Sequence, residues 1–136
     1  MRLLAFDPGT VRIGIAFSEN GILATPAGYI KNNEKLKEAV KMLIEKYRPG
    51  RIIIGDPKNM DGTKNPKSRC GDDLAEMVRS VEAAAEVIMW DERLTSAEAG
   101  RILIEGDVSR KKRKEKTDAL AAAIILQDYI NKGSGK

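Results

Sequence analysis

The chain has 136 residues, 42% hydrophobic and 32% charged, a length and balance that suit one compact domain with a real core and leave no room for two large ones. It contains no histidine, which excludes imidazole bases, imidazole metal ligands and Ser-His or Cys-His nucleophilic pairs, and its single cysteine, Cys70, excludes an internal disulfide or a cysteine-built zinc cluster. With 24 Lys and Arg against 20 Asp and Glu the net charge is +4, too mild to name a partner by itself.

In chain order, residues 2–6 and 11–17 read as two strands joined by the short turn Asp7-Pro8-Gly9-Thr10. Asn20-Gly21 is a hairpin signal before a third strand over 22–30. Asn32 and Asn33 are candidate caps for a helix whose apolar positions Leu36, Val40, Leu43, Ile44 and Tyr47 share a face, ended by Pro49-Gly50. Residues 51–54 read as a buried strand, and Asp56-Pro57 and Asp61-Gly62 open a long polar loop. Leu74, Met77, Val78 and Val81 then form a second helical stripe, and 87–90 a fifth strand. Thr95 and Glu98 make a capping box for a helix through about residue 105, Thr117 caps a last helix through about residue 131, and 133–136 read as a disordered tail. The expectation is one α/β domain over 1–132: a five-stranded mixed sheet, three antiparallel hairpin strands then two parallel, flanked by helices. No apolar run approaches the roughly 20 residues of a membrane span and no signal peptide is visible, so the expected setting is soluble and cytoplasmic, without a membrane partner.

Strands one, four and five each run into acid: Asp7, Asp56, and the pair Asp91-Glu92. Ligands of such sheets gather at the carboxyl ends of strands, so these acids are expected to meet in one crevice. Asp118 stands in the first turn of the last helix, where the dipole tolerates its charge, and the small residues that follow let that helix pack close and bring Asp118 toward Asp7. Each acid alone also fits a plain structural role: Asp7 as a turn residue, Asp118 as a cap, Asp91 or Glu92 as a loop acid paired with Arg93. Together, clustered carboxylates without histidine point to Mg²⁺ or Mn²⁺, which take oxygen ligands. The basic run Arg110, Lys111, Lys112, Arg113, Lys114 and Lys116 fits a solvated loop, or, beside a metal-filled acidic crevice, the rim that a nucleic-acid backbone requires. Few aromatics flank it, which favours contacts to phosphate and sugar over stacking on bases.

Four ordered blocks, "FDPGTVRIGIA", "IIIGDPKNMDGT", "DERLTS" and "KTDALAAAIILQDYI", resemble the YqgF (RuvX-like) family, described as pre-16S rRNA nucleases and as Holliday junction resolvases. The resemblance covers almost the whole chain and implies an RNase H-like fold. It also implies that Asp7, an acid of the Asp91-Glu92 pair and Asp118 are the metal-binding, catalytic acids. Glu92 is preferred to Asp91 as the ligand; neighbours on a strand point to opposite faces, so only one of the two faces the crevice, and the sequence does not say which. The implied chemistry is two-metal phosphodiester hydrolysis with Mg²⁺ or Mn²⁺, the ions roughly 3.5 to 4 Å apart and Asp7 bridging them, which needs no side-chain base. Lys112, Arg113 and Lys114 would hold the backbone and Arg12 a phosphate. Asp56 departs from the family's apolar residue; it either adds an outer carboxylate or points to solvent. Asn59, Asp61 and Gly62 match the family's loop and shape the rim.

The resulting expectation is an endonuclease processing the 5′ end of pre-16S rRNA. Alternatives are a resolvase of four-way DNA and a non-catalytic nucleic-acid-binding module. The first block also looks like the phosphate loop of actin-like and sugar-kinase ATPases, but those close two such domains around ATP. Monomer and homodimer both stay open, since a two-fold junction calls for a dimer and an rRNA end does not.

Overall fold

The structure, a computed structural model, describes residues 1–57, 61–63, 65–92 and 117–132. The Thr95–Glu98 capping box, the basic run Arg110 to Lys116, Asn59 and the tail 133–136 lie outside the described residues. Five strands, β1 (Leu3–Asp7), β2 (Arg12–Ser18), β3 (Thr25–Lys31), β4 (Arg51–Asp56) and β5 (Glu86–Asp91), form one sheet in the order β3-β2-β1-β4-β5. β1 pairs antiparallel with β2 and β2 with β3, while β4 and β5 run parallel to β1, as expected from the sequence. The helices among the described residues are α1 (Leu36–Tyr47), α2 (Pro66–Val81) and α3 (Thr117–Lys132).

Strand alternation divides the core into two layers. Leu4, Phe6, Ile13, Ile15, Ile52 and Ile54 face α1 and α2, whose Val40, Ile44, Leu74 and Val78 complete that cluster. Leu3, Ala5, Ala16 and Ile53 face α3, which meets them with Ala122, Ala123, Ile125 and Leu126. Burial on both faces explains why β4 reads as the unbroken run Ile52, Ile53, Ile54, all fully buried. β3 is an edge strand, largely exposed, with Pro26 and Gly28 in it.

Three element starts differ from the sequence reading by two residues or more, each through side-chain bonds to backbone. β3 starts at Thr25 rather than at 22, because Asn20 Oδ1 accepts from the Ile22 N–H (2.8 Å) while Gln127 on α3 accepts from the Ala24 N–H (2.9 Å) and donates to the Ile22 carbonyl (3.2 Å). Asn33 accepts from the Lys35 N–H (2.9 Å), one turn ahead of α1, whose own N-cap residue Lys35 supplies no side-chain bond. Asn32 serves the β1–β2 turn instead: its side chain donates to the Gly9 carbonyl (2.8 Å) and its backbone N–H to the Val11 carbonyl (2.9 Å). α2 starts at Pro66, well before its apolar stripe, with Asn65 as N-cap accepting from the Ser68 N–H (3.1 Å).

At the other end of α3, Asp128 is fully buried, takes the Trp90 indole N–H (3.3 Å) and pairs with Lys132 (3.2 Å). Asp128→Ala strands that indole donor, and is expected to lower stability by about 1 to 3 kcal/mol. A urea titration checks it: the midpoint falls with the slope unchanged. Nearby, Arg51 donates to the Tyr129 hydroxyl (2.7 Å) and pairs with Glu86 (3.0 Å); the Tyr129 bond first, then Glu86, holds the guanidinium pKa above its ordinary value.

Candidate active site

The turn Asp7-Pro8-Gly9-Thr10 returns the chain sharply from β1 into β2. A Cβ on Gly9 would overlap the Arg12 carbonyl, so only glycine lets the backbone pass that close. Asn32 pins the same turn from outside, and the half-buried carboxylate of Asp7 ends the central strand.

Face assignment follows from register. Asp7 shares the parity of Leu3 and Ala5 and so projects toward α3, directly opposite Gly14 of β2. One step past the Phe6–Ile54 pairing, its neighbour on β4 is Gly55. Asp7 is thus flanked on both sides by glycine, at about one strand spacing of roughly 5 Å each. Both open places are filled. A Cβ on Gly14 would collide with the Asp118 carbonyl, so the first turn of α3 rests directly on β2. A Cβ on Gly55 would come within 2.8 Å of Glu92 Oε2 and 2.8 Å of Ile125 Cδ1, so the Glu92 carboxylate lies over β4, with that oxygen buried. The chain elements carrying Asp7, Glu92 and Asp118 therefore converge on one face at the carboxyl end of the sheet.

Asp91 and Asp56 go the other way. They pair across β4 and β5 and share parity with Met89 and Ile54, which pack in the α1/α2 layer. Asp56 is buried, 6% exposed, so it neither points to solvent nor joins the acids on the α3 face. The sequence expectation of one crevice for all the strand-end acids is corrected by strand alternation: it sends the strand-end acids of β4 and β5 to the opposite side.

Asp118 is turned toward Arg12, with Oδ2 3.1 Å from Nε, and among the described residues no three acidic side chains close around a common point. Arg12 is held in turn over the Tyr29 ring, 5.2 Å from its centroid. The Arg12–Asp118 pair is partly exposed on both sides, 53% and 33%, where such pairs are worth about 0 to 1 kcal/mol and exchange readily. Of the expected basic contacts, Arg12 lies beside the acids, while Arg110, Lys111, Lys112, Arg113 and Lys114 are outside the described residues. Asp61 and Gly62 belong to the loop before α2, where Asp61 accepts from the Thr63 N–H (2.9 Å). Composition and acid-counting miss the two glycines. Their signal in the sequence is an isolated glycine inside an otherwise apolar strand, which marks close approach of another backbone or group.

Residues 1–132 match the family described as "RuvX: Holliday junction resolvase". A relative from Halothermothrix orenii, carrying the name "Putative pre-16S rRNA nuclease", is 45% identical over 135 residues, covering 96% of this chain and 95% of its own. A relative of the same name from Thermoanaerobacter pseudethanolicus is 43% identical and covers all of both chains. Among solved structures, T. thermophilus RuvC in complex with a Holliday junction substrate superposes with a TM-score of 0.65 at 15% identity, covering 98% of this chain and 97% of that one. The fowlpox virus Holliday junction resolvase gives 0.59 at 14% identity, covering 96% and 99%. At such identities the structural likeness speaks to the fold, which is RNase H-like. No helix among the described residues is long and apolar enough to cross a membrane. On the full-length match to family and relatives, the chain belongs to the RuvX family, whose members carry nuclease and resolvase names.

Proposed function

We propose that residues 1–132 act as one endonuclease domain that hydrolyses phosphodiester bonds at the 5′ end of pre-16S rRNA in the cytoplasm, using Mg²⁺ or Mn²⁺ held by Asp7, Glu92 and Asp118. The observation that carries this reading is the pair of glycines beside Asp7, over which the Asp118 backbone and the Glu92 carboxylate settle on the same face. The donor set fits a hard divalent cation: three carboxylates and no nitrogen or sulfur. Asp118 would hold such a cation in exchange for its partly exposed Arg12 partner, whose loss costs little. When bound, such a cation supplies Lewis-acid stabilisation and a more acidic water. The protein's own part is positional. Asp7, rigid at the end of the central strand, lies between the other two acids. Glu92 is held over Gly55. Arg12, once released from Asp118, and the basic run Arg110 to Lys114 engage phosphate oxygens. Asp91 is assigned no ligand role, since its parity directs it to the α2 side.

Identity of 43 to 45% to relatives named for pre-16S rRNA favours RNA. The family description favours a second reading, resolution of four-way DNA. Both are tested in one assay: labelled pre-16S-like RNA and a four-way junction are incubated with Mg²⁺, Mn²⁺ or EDTA, using wild type, Glu92→Gln and Asp91→Asn. Metal-dependent cutting lost in Glu92→Gln and kept in Asp91→Asn supports the site, and the preferred substrate selects the reading. Wild type that cuts neither substrate with either metal refutes the nuclease.

A further inference from the structure

A cavity of about 500 Å³ lies just beyond the acids, lined by Val11, Arg12, Tyr29, Lys31 and Asn33 among others. Its volume is that of a small-ligand site. Tyr29 pairs with Gly14, which pairs with Asp7, and Arg12 pairs with Lys31, so Tyr29, Arg12 and Lys31 all stand on the α3 face in two neighbouring rows. Tyr29 is 45% exposed and lies against the Arg12 guanidinium, and Val11 beside it is 71% exposed, in a lining that holds no acid. Arg12 joins the two sites: it bonds Asp118 on one side and covers the Tyr29 ring on the other.

We propose that this cavity binds one nucleotide of a single strand next to the cleaved bond, with Tyr29 as the stacking surface for its base and Arg12 and Lys31 as the contacts for its phosphate. An exposed ring beside a planar guanidinium and an ammonium is the combination that holds single-stranded nucleic acid without reading its sequence. Tyr29 stands two strands from Asp7, about 10 Å, so the occupant and the reacting phosphate belong to neighbouring nucleotides. The inference rests on the nuclease reading for its orientation, but the cavity is testable without catalysis.

The test is fluorescence anisotropy of a labelled single-stranded oligonucleotide, RNA and DNA in separate arms, in EDTA so that nothing is cut. Tyr29→Ala is expected to weaken binding roughly ten- to a hundredfold and Tyr29→Phe to restore it. Lys31→Gln is expected to weaken binding and to reduce the salt dependence by about one phosphate contact. Wild-type affinity in both Tyr29→Ala and Lys31→Gln, or a wild type that binds neither oligonucleotide, overturns the proposal. Loss of binding in the variants from a wild type that cleaves no substrate leaves the cavity standing and removes only the nuclease reading.

Discussion

Asp7→Asn is expected to slow metal-dependent cleavage by at least about a hundredfold, equivalent to roughly 3 kcal/mol of transition-state stabilisation, without unfolding the protein. The substitution keeps the shape of the side chain at the end of β1 and removes only its charge. Neither neighbour across the sheet offers a replacement, because both are glycine. The Asp118 backbone and the Glu92 carboxylate lie over those glycines, so in the proposed site Asp7 is the oxygen donor between them. The measurements are single-turnover cleavage and a metal titration followed by Trp90 fluorescence. Trp90 is the chain's one tryptophan and stands two residues before Glu92 on the same face. Unchanged rates and unchanged metal affinity in Asp7→Asn would remove Asp7 from the site.

Gly14→Ala is the second large effect, and it separates backbone from side-chain obstruction. The added methyl meets the carbonyl of Asp118, a backbone atom anchored at the start of α3, so the helix must move away from β2. Overpacking of this kind costs about 1 to 3 kcal/mol, and here it also displaces the Asp118 carboxylate. Gly55→Ala meets the far ends of two side chains, Glu92 and Ile125, which rotate aside more cheaply. The expected order is therefore a larger loss of stability for Gly14→Ala than for Gly55→Ala, with metal affinity reduced in both. Urea denaturation and the Trp90 titration read the two quantities separately. Equal stability of Gly14→Ala and wild type would contradict the close seat of α3 on β2.

The sheet was legible because its signals are local. Apolar strands, the Asn-Gly turn and the Ile52–Ile54 run each speak for themselves, and the order of hairpin then parallel strands follows from them. What was not legible depends on partners remote in sequence. The late start of β3 is set by Gln127, about a hundred residues away. The early start of α2 is set by Asn65 and Pro66, ahead of the apolar stripe, in turns where Gly71 packs close to the Gly55 carbonyl. At the site, the residue types were readable and their faces were only partly so. Alternation distinguishes Glu92 from Asp91 in principle, but deciding which face holds the crevice requires knowing that α3, and not α2, covers Asp7. The face of Asp56 depends on the same knowledge. A strand-end acid looks like a site acid until the register shows which layer it enters.

The seat of Asp118 on Gly14 also sets a temporal order. One wall of the site is carried by the second strand to be synthesised and the other by the last helix, so a chain emerging from the ribosome holds Asp7 long before Asp118 exists. Until α3 docks, Leu3, Ala5, Ala16 and Ile53 lack their cover and Asp118 has no seat beside β2. Docking of α3 is thus a single event with two results, closing the apolar face of the sheet and setting the Asp118 end of the helix against β2.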